Sequence, residues 1–170
     1  MRIFMTAIQT RQINVERFSV SSSEPFDTIV ARIEREIGHP EMGAFARKMA
    51  SAVLADLELA VQGAVGPSGL MEFVRFDLGA VLRKEQGFED RRSLRLVIGN
   101  PLIMKEMTKH VPDTGSYAPV TILIDTRADG VHLSYDRMAS FLASYGNAEA
   151  LKVARDLDSK VEALLTMAAR

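Results

Sequence analysis

Chemistry in this chain has to be sought among a few polar residues set in apolar surroundings. Asn100 follows Gly99 and precedes Pro101 in the run SLRLVIGNPLIMKEMTK, residues 93–109. Leu94, Leu96 and Ile98 alternate with Arg95, Val97 and Gly99, the period of a strand with one apolar face. Asn100 is then a good helix N-cap and Pro101 a good first helical residue, because proline lacks the amide hydrogen that a first turn leaves unpaired. A helix start exposes unpaired amides and a partial positive charge, so Asn100 with Lys105 nearby is a candidate anion site. Turn geometry alone also accounts for the glycine, the cap and the proline.

The other candidates lie on strands. Tyr135, with Asp136 and His132, is the best remaining polar cluster. A tyrosine and a histidine can work as acid and base when they share a cleft, but alternation sends Tyr135 and His132 to opposite faces. The expectation is therefore a buried tyrosine whose hydroxyl is satisfied at the sheet rim. The three histidines, His39, His110 and His132, lack the spacing of a zinc motif, and His110 near a helix end suits the macrodipole. With no cysteine, disulfides, thiolate catalysis and cysteine-ligated metal are excluded. There is no G-x-S-x-G elbow and no Walker phosphate loop. The residues point to no metal and no cofactor.

The elements that must position these groups can be read in order. Residues 12–22 alternate weakly, with a phase change near Arg17 that implies a bulge or a late strand start. Ser23-Glu24-Pro25 starts a helix whose apolar face is Phe26, Ile29, Val30, Ile33 and Ile37, and Gly38-His39-Pro40 stops it. From Glu41 to Ala64 apolar residues recur at threes and fours, predicting one long amphipathic helix. Its stripe needs a partner, either the rest of the chain or a second copy. Leu70–Phe76 is apolar on both faces, which predicts a central or doubly covered strand, and Asp77 caps a short helix ended by Gly87.

Val120, Ile122 and Ile124 form the apolar face of one strand, and Val131, Leu133 and Tyr135 that of the next. Directly opposed residues must then have numbers summing to an odd value, so the connecting loop has an even length, either two residues at Asp129-Gly130 or four from Arg127. The opposite faces carry Arg95 and Val97, then Thr121, Leu123 and Asp125, then His132, Ser134 and Asp136. This mixed face is a solvated sheet, a dimer interface or a pocket wall, and Val97 and Leu123 argue against the first. Arg95 and His132 are its candidate anchors. Asn147 caps a long C-terminal helix with Leu151, Ala154, Leu157, Val161, Leu164, Leu165 and Ala168 on one face.

Length and charge set bounds. The 170 residues suit a single domain, 1–170, able to bury a sizeable core without staples. Residues 1–12 read as a loose N-terminal segment, with Met5 an alternative start. A net charge of −1 from 21 basic and 22 acidic residues argues against nonspecific nucleic-acid binding. The first residues lack the apolar core of a leader, and no run approaches the roughly 20 apolar residues of a membrane span. The expectation is a soluble, cytoplasmic protein with no nucleic-acid or membrane partner.

Gly99-Asn100-Pro101, then Tyr117-Ala118-Pro119 before a strand, then Ser134-Tyr135-Asp136 ending the next form an ordered set. With these triplets the chain from Asn14 onward resembles the bacterial and archaeal domain-of-unknown-function family 302. The resemblance implies a two-layer α+β fold, a mostly antiparallel sheet with helices packed on one face and the long C-terminal helix among them, and no established activity. Many relatives carry Asp-His where this chain has Asp77-Leu78, and a lysine and a glycine near Leu102-Ile103-Met104. Residues 40–66 look like a helical insertion found in a subgroup. The functional expectation is noncatalytic binding of a small molecule or partner by a self-associating domain, a homodimer, with Asn100, Lys105, Arg95, His132 and Tyr135 as ligand-binding candidates. An enzyme with a cleft between sheet and helices, and a purely structural interaction module, are the alternatives.

Overall fold

Period-two patterning becomes five strands: β1 (Arg17–Ser22), β2 (Met71–Asp77), β3 (Ser93–Gly99), β4 (Val120–Arg127) and β5 (Gly130–Asp136). The computed structural model describes residues 6–170; the alternative start at Met5 and the first part of the 1–12 segment lie outside the described residues. All neighbouring strands run antiparallel in the order β1-β5-β4-β3-β2. The helices are α1 (Phe26–Glu36), α2 (Met42–Ser51), α3 (Leu54–Ala64), α4 (Gly79–Leu82), α5 (Pro101–Thr108), α6 (Met138–Leu142) and α7 (Ala148–Ala168). The fold is the expected α+β architecture with its long C-terminal helix.

The main core forms where α1, α5 and α7 meet one face of the sheet. Ile29 and Ile33 of α1, Leu96 and Ile98 of β3, Ile122 and Ile124 of β4, Leu133 of β5 and Leu165 of α7 are all fully buried there. Those strand residues share one face because side chains alternate. The β1 strand starts at Arg17, at the phase change seen in the sequence, and residues 6–16 adopt no regular element. That segment is nevertheless tacked down: Arg11 donates to the Ser144 carbonyl at 2.8 Å and lies 4.2 Å from the Tyr145 ring centroid.

Three local expectations need correcting. Residues 41–64 are two helices, broken where Ala52 (φ −77°, ψ 147°) and Val53 (φ −71°, ψ 161°) are extended. An unbroken helix of that length would run about 36 Å in one direction. With the break, Phe45 of α2 and Val61 of α3 are buried in one cluster with Met71 of β2. Second, β2 lies at the edge of the sheet rather than at its centre. Its two-sided apolar character arises because Met71 and Phe73 serve that small cluster, while a bulge between Glu72 and Val74 shifts the register and leaves Val74 and Phe76 on the open face, 40% and 45% exposed.

Third, Arg127 pairs with Gly130, so the β4–β5 turn is Ala128-Asp129, one place earlier than Asp129-Gly130. The loop is even, as register demands, and Ile122 faces Tyr135 across the ladder. Gly130 has φ +135°, and a Cβ there would sit 2.5 Å from the Ser22 carbonyl oxygen of β1. A second close approach holds the base of the α2–α3 insertion. Gly38 and Gly66 both donate to the Leu70 carbonyl at 2.9 Å, and a Cβ on Gly38 would meet the Ala64 oxygen at 1.7 Å. Among the described residues, no helix is long and apolar enough to cross a membrane.

Candidate functional site

Asn100 caps α5 as its sequence position requires. Its Oδ1 accepts from the Leu102 amide at 2.9 Å, and its Nδ2 donates to the Gly69 carbonyl at 3.0 Å. Both ends of the amide are thus committed to backbone. Beside it is a cavity of about 280 Å³ lined by Met49, Phe73, Gly99, Pro101, Met104 and Pro119 among others, an almost wholly apolar wall. Lys105 is not among its lining residues, and its Nζ lies 3.5 Å from Glu106 Oε1. The structure does not bring Asn100 and Lys105 into one site.

Tyr135 and His132 separate as alternation requires. Tyr135 is 1% exposed, on the helix side of β5, and its hydroxyl donates to Asp158 Oδ1 at 2.7 Å. Asp158 of α7 also accepts from the Met138 amide at 2.7 Å and the Ala139 amide at 3.1 Å, satisfying the first turn of α6. Burial raises the Asp158 carboxyl above the ordinary carboxylate range, against the lowering effect of those hydrogen bonds. Burial and the neighbouring carboxylate together hold the Tyr135 phenol well above its ordinary value. Sequence reasoning missed Asp158. The signal was present, since Ala154, Asp158, Val161 and Leu165 follow helical spacing on the buried face of α7.

The open face of the sheet holds the second candidate. A groove of about 460 Å³ there is lined by apolar Leu78, Leu123, Phe141 and Met138, by Arg17, Arg95 and Asp136, and by Ser116, Thr121 and Ser134, with Tyr117, Val120 and Tyr135 completing it. Tyr117 and Phe141 stack at 4.6 Å between centroids with 14° between planes, forming an aromatic rim. Tyr117 is held in turn, its hydroxyl 3.0 Å from that of Tyr145, which donates to Asp113 Oδ2 at 2.8 Å.

Charges on this face are mostly matched. Arg17 forks onto Asp136, Nε to Oδ1 at 2.6 Å and Nη2 to Oδ2 at 2.9 Å. Arg127 pairs with Asp125 at 2.8 Å, and His132 Nε2 lies 2.9 Å from Asp129 Oδ1. Arg95 differs. Among the described residues it has no carboxylate partner, and its guanidinium rests 5.9 Å from the Phe76 ring centroid and 3.4 Å from Thr121 Oγ1. His132 shares the face but lies toward the turn, outside the groove lining. Of the sequence candidates, Arg95 and Tyr135 border the groove, and only Arg95 keeps its polar group free for it. No group of three or more potential metal-ligating side chains is found among the described residues.

The family model described as domain of unknown function DUF302 matches residues 48–168, well over half the chain. The chain belongs to that family. The crystal structure of an uncharacterized conserved DUF302 protein from Bacillus stearothermophilus is similar, with TM-score 0.62 and 11% sequence identity over 91% of this chain and 98% of that one. At that identity the likeness is one of fold. No curated protein matches the chain. Within this DUF302 chain the first two hallmark triplets meet: Gly99, Asn100, Pro101, Ala118 and Pro119 all border the apolar cavity, and the third triplet, Ser134-Tyr135-Asp136, borders the groove. The Ala118-Pro119 bond is cis. Leu78 supplies an apolar part of the groove wall.

Proposed function

We propose that this DUF302 protein is a noncatalytic binding domain that holds a small molecule in the groove on the open face of its sheet. The observation that carries the reading is the groove itself: about 460 Å³, with an apolar wall and a few convergent polar groups, the pattern expected of a small-molecule site. Its polar groups support binding over acid–base work. Asp136 is held by Arg17, the Tyr135 hydroxyl is engaged by Asp158 on the far side of the strand, and His132 faces Asp129 at the turn. Native mass spectrometry of gently purified protein tests the reading. The expected result is extra mass that a Leu123→Trp variant, which fills the groove, no longer carries. Adduct retained by that variant would refute the groove as its site.

A second reading, self-association, is favoured by the apolar side chains continuing from the groove toward the sheet edge. Phe76, Leu78, Val81 and Leu82 are 45%, 43%, 75% and 41% exposed. Contiguous exposure of this kind marks interaction surfaces. The same spectra report copy number: a dimer dispersed by Val81→Glu is the expected result, and a monomer in the unaltered protein would refute it.

A further inference from the structure

We infer that the ligand of the open-face groove is a small organic carboxylate with an apolar body, anchored by Arg95 and Ser134; this rests on the groove being a ligand site. The other arginines of this sheet face named above, Arg17 and Arg127, each have a carboxylate at hydrogen-bonding distance. Arg95 alone among them has none, although it lies on the same open face. Since Asp136 is neutralised by both arms of Arg17, the groove carries one unmatched positive charge. A monoanion restores the balance.

Ser134 supplies the independent observation. It is 8% exposed and lines the groove, and its hydroxyl makes no hydrogen bond among the described residues, which leaves its oxygen open to the groove. A hydroxyl that faces a groove without a protein partner is free to donate to a bound molecule. Ser134 stands across β4 from Arg95, since Leu123 pairs with both. Thr121, already in contact with Arg95, lies on the same rim. The guanidinium fork offers two parallel donors to a carboxylate, and a serine hydroxyl offers a third. The remaining wall, Leu78, Leu123 and the stacked Tyr117–Phe141 pair, suits an apolar body.

The test titrates 15N-labelled protein with 2-naphthoate and with its neutral isostere 2-naphthamide, following amide shifts by NMR. The expected result is that naphthoate moves Leu123 and Ser134 and binds at least about tenfold more tightly than the amide, the ordinary worth of a charge-assisted hydrogen bond. Arg95→Met should make the two probes equal, Arg95→Lys should restore part of the preference by charge without the fork, and Ser134→Ala should weaken naphthoate by several-fold. Retained amide spectra show that each variant is folded. Equal binding of both probes in the groove would overturn the carboxylate assignment and leave the groove reading standing. An absence of shifts in the groove with either probe, or a naphthoate preference that survives Arg95→Met, would overturn the assignment, and the former would remove the groove reading as well.

Discussion

Replacing Asp158 with alanine should be among the most damaging single changes in the core, and its size can be worked from the geometry. Three donors converge on that carboxylate: the Tyr135 hydroxyl and the amides of Met138 and Ala139. A buried donor left without an acceptor costs about 1–3 kcal/mol. The Met138 amide keeps a second acceptor, the Tyr135 hydroxyl oxygen at 3.2 Å, so two donors are fully orphaned. Removing a carboxyl whose burial disfavours its charge returns part of the loss, leaving a net destabilisation of about 3 kcal/mol. Tyr135→Phe removes the bond to Asp158 and the longer one from the Met138 amide, which keeps Asp158 as its acceptor, and should cost only about 1 kcal/mol. Urea denaturation followed by far-UV circular dichroism reads both, and at a slope of about 1.5 kcal/mol/M the alanine variant's midpoint should fall by about 2 M. The pH dependence has a definite sign. Because burial raises the folded-state carboxyl pKa, its stabilising contribution is fully present below the unfolded value of about 4 and is lost as pH rises through the folded value. The gap between the unaltered protein and Asp158→Ala should therefore be widest in acid and narrow upward. A loss under about 1 kcal/mol, or a gap that widens with pH, would refute the assignment of Asp158 as the acceptor joining α7, β5 and α6.

Other expectations are more local. Asn100→Ala removes the α5 cap and the bond to Gly69, and should cost about 1–2 kcal/mol in thermal or chemical melts. Because the Asn100 amide is fully committed, exchanging chloride for phosphate at constant ionic strength should not protect the α5 corner in hydrogen exchange; selective protection there would revive an anion site. Gly38→Ala drives a Cβ into the Ala64 carbonyl and should cost more than about 2 kcal/mol, with proteolytic cleavage in residues 40–66 as the early sign. Arg17→Ala breaks an ion pair whose partners are 65% and 32% exposed, and should change stability by less than about 1 kcal/mol.

What could be read from sequence was decided locally. The strand-to-helix corner depends on Asn100 and Pro101 acting on their immediate neighbours, and the C-terminal helix on Asn147 and an unbroken stripe. The parity of the β4–β5 loop follows from two flanking strands alone, although its position did not. What escaped was set by distant partners. Nothing at Ala52-Val53 is a helix breaker by composition; the chain bends there so that Phe45 and Val61 can share Met71. Edge and centre could not be told apart for β2, because apolar residues on both faces suit either a buried strand or one flanked by an insertion. Arg95 was visible as a candidate, but its distinction is that it lacks a partner, and this requires knowing that Arg17 finds Asp136, 119 residues away.

The break in the insertion gives the molecule two separate apolar clusters, one holding the sheet against α1, α5 and α7, the other built on Phe45, Val61 and Met71. Cooperativity should divide along the same line. Opening the α2–α3 hairpin exposes a few side chains, whereas opening α7 exposes the main sheet, so the two sets of amides should exchange with solvent deuterium at different free energies. The hairpin becomes a partial unfolding unit, and denaturant dependence would show its small exposed area as a shallow slope. A ligand held on β3–β5 should slow exchange in the larger unit while leaving the smaller one nearly unchanged.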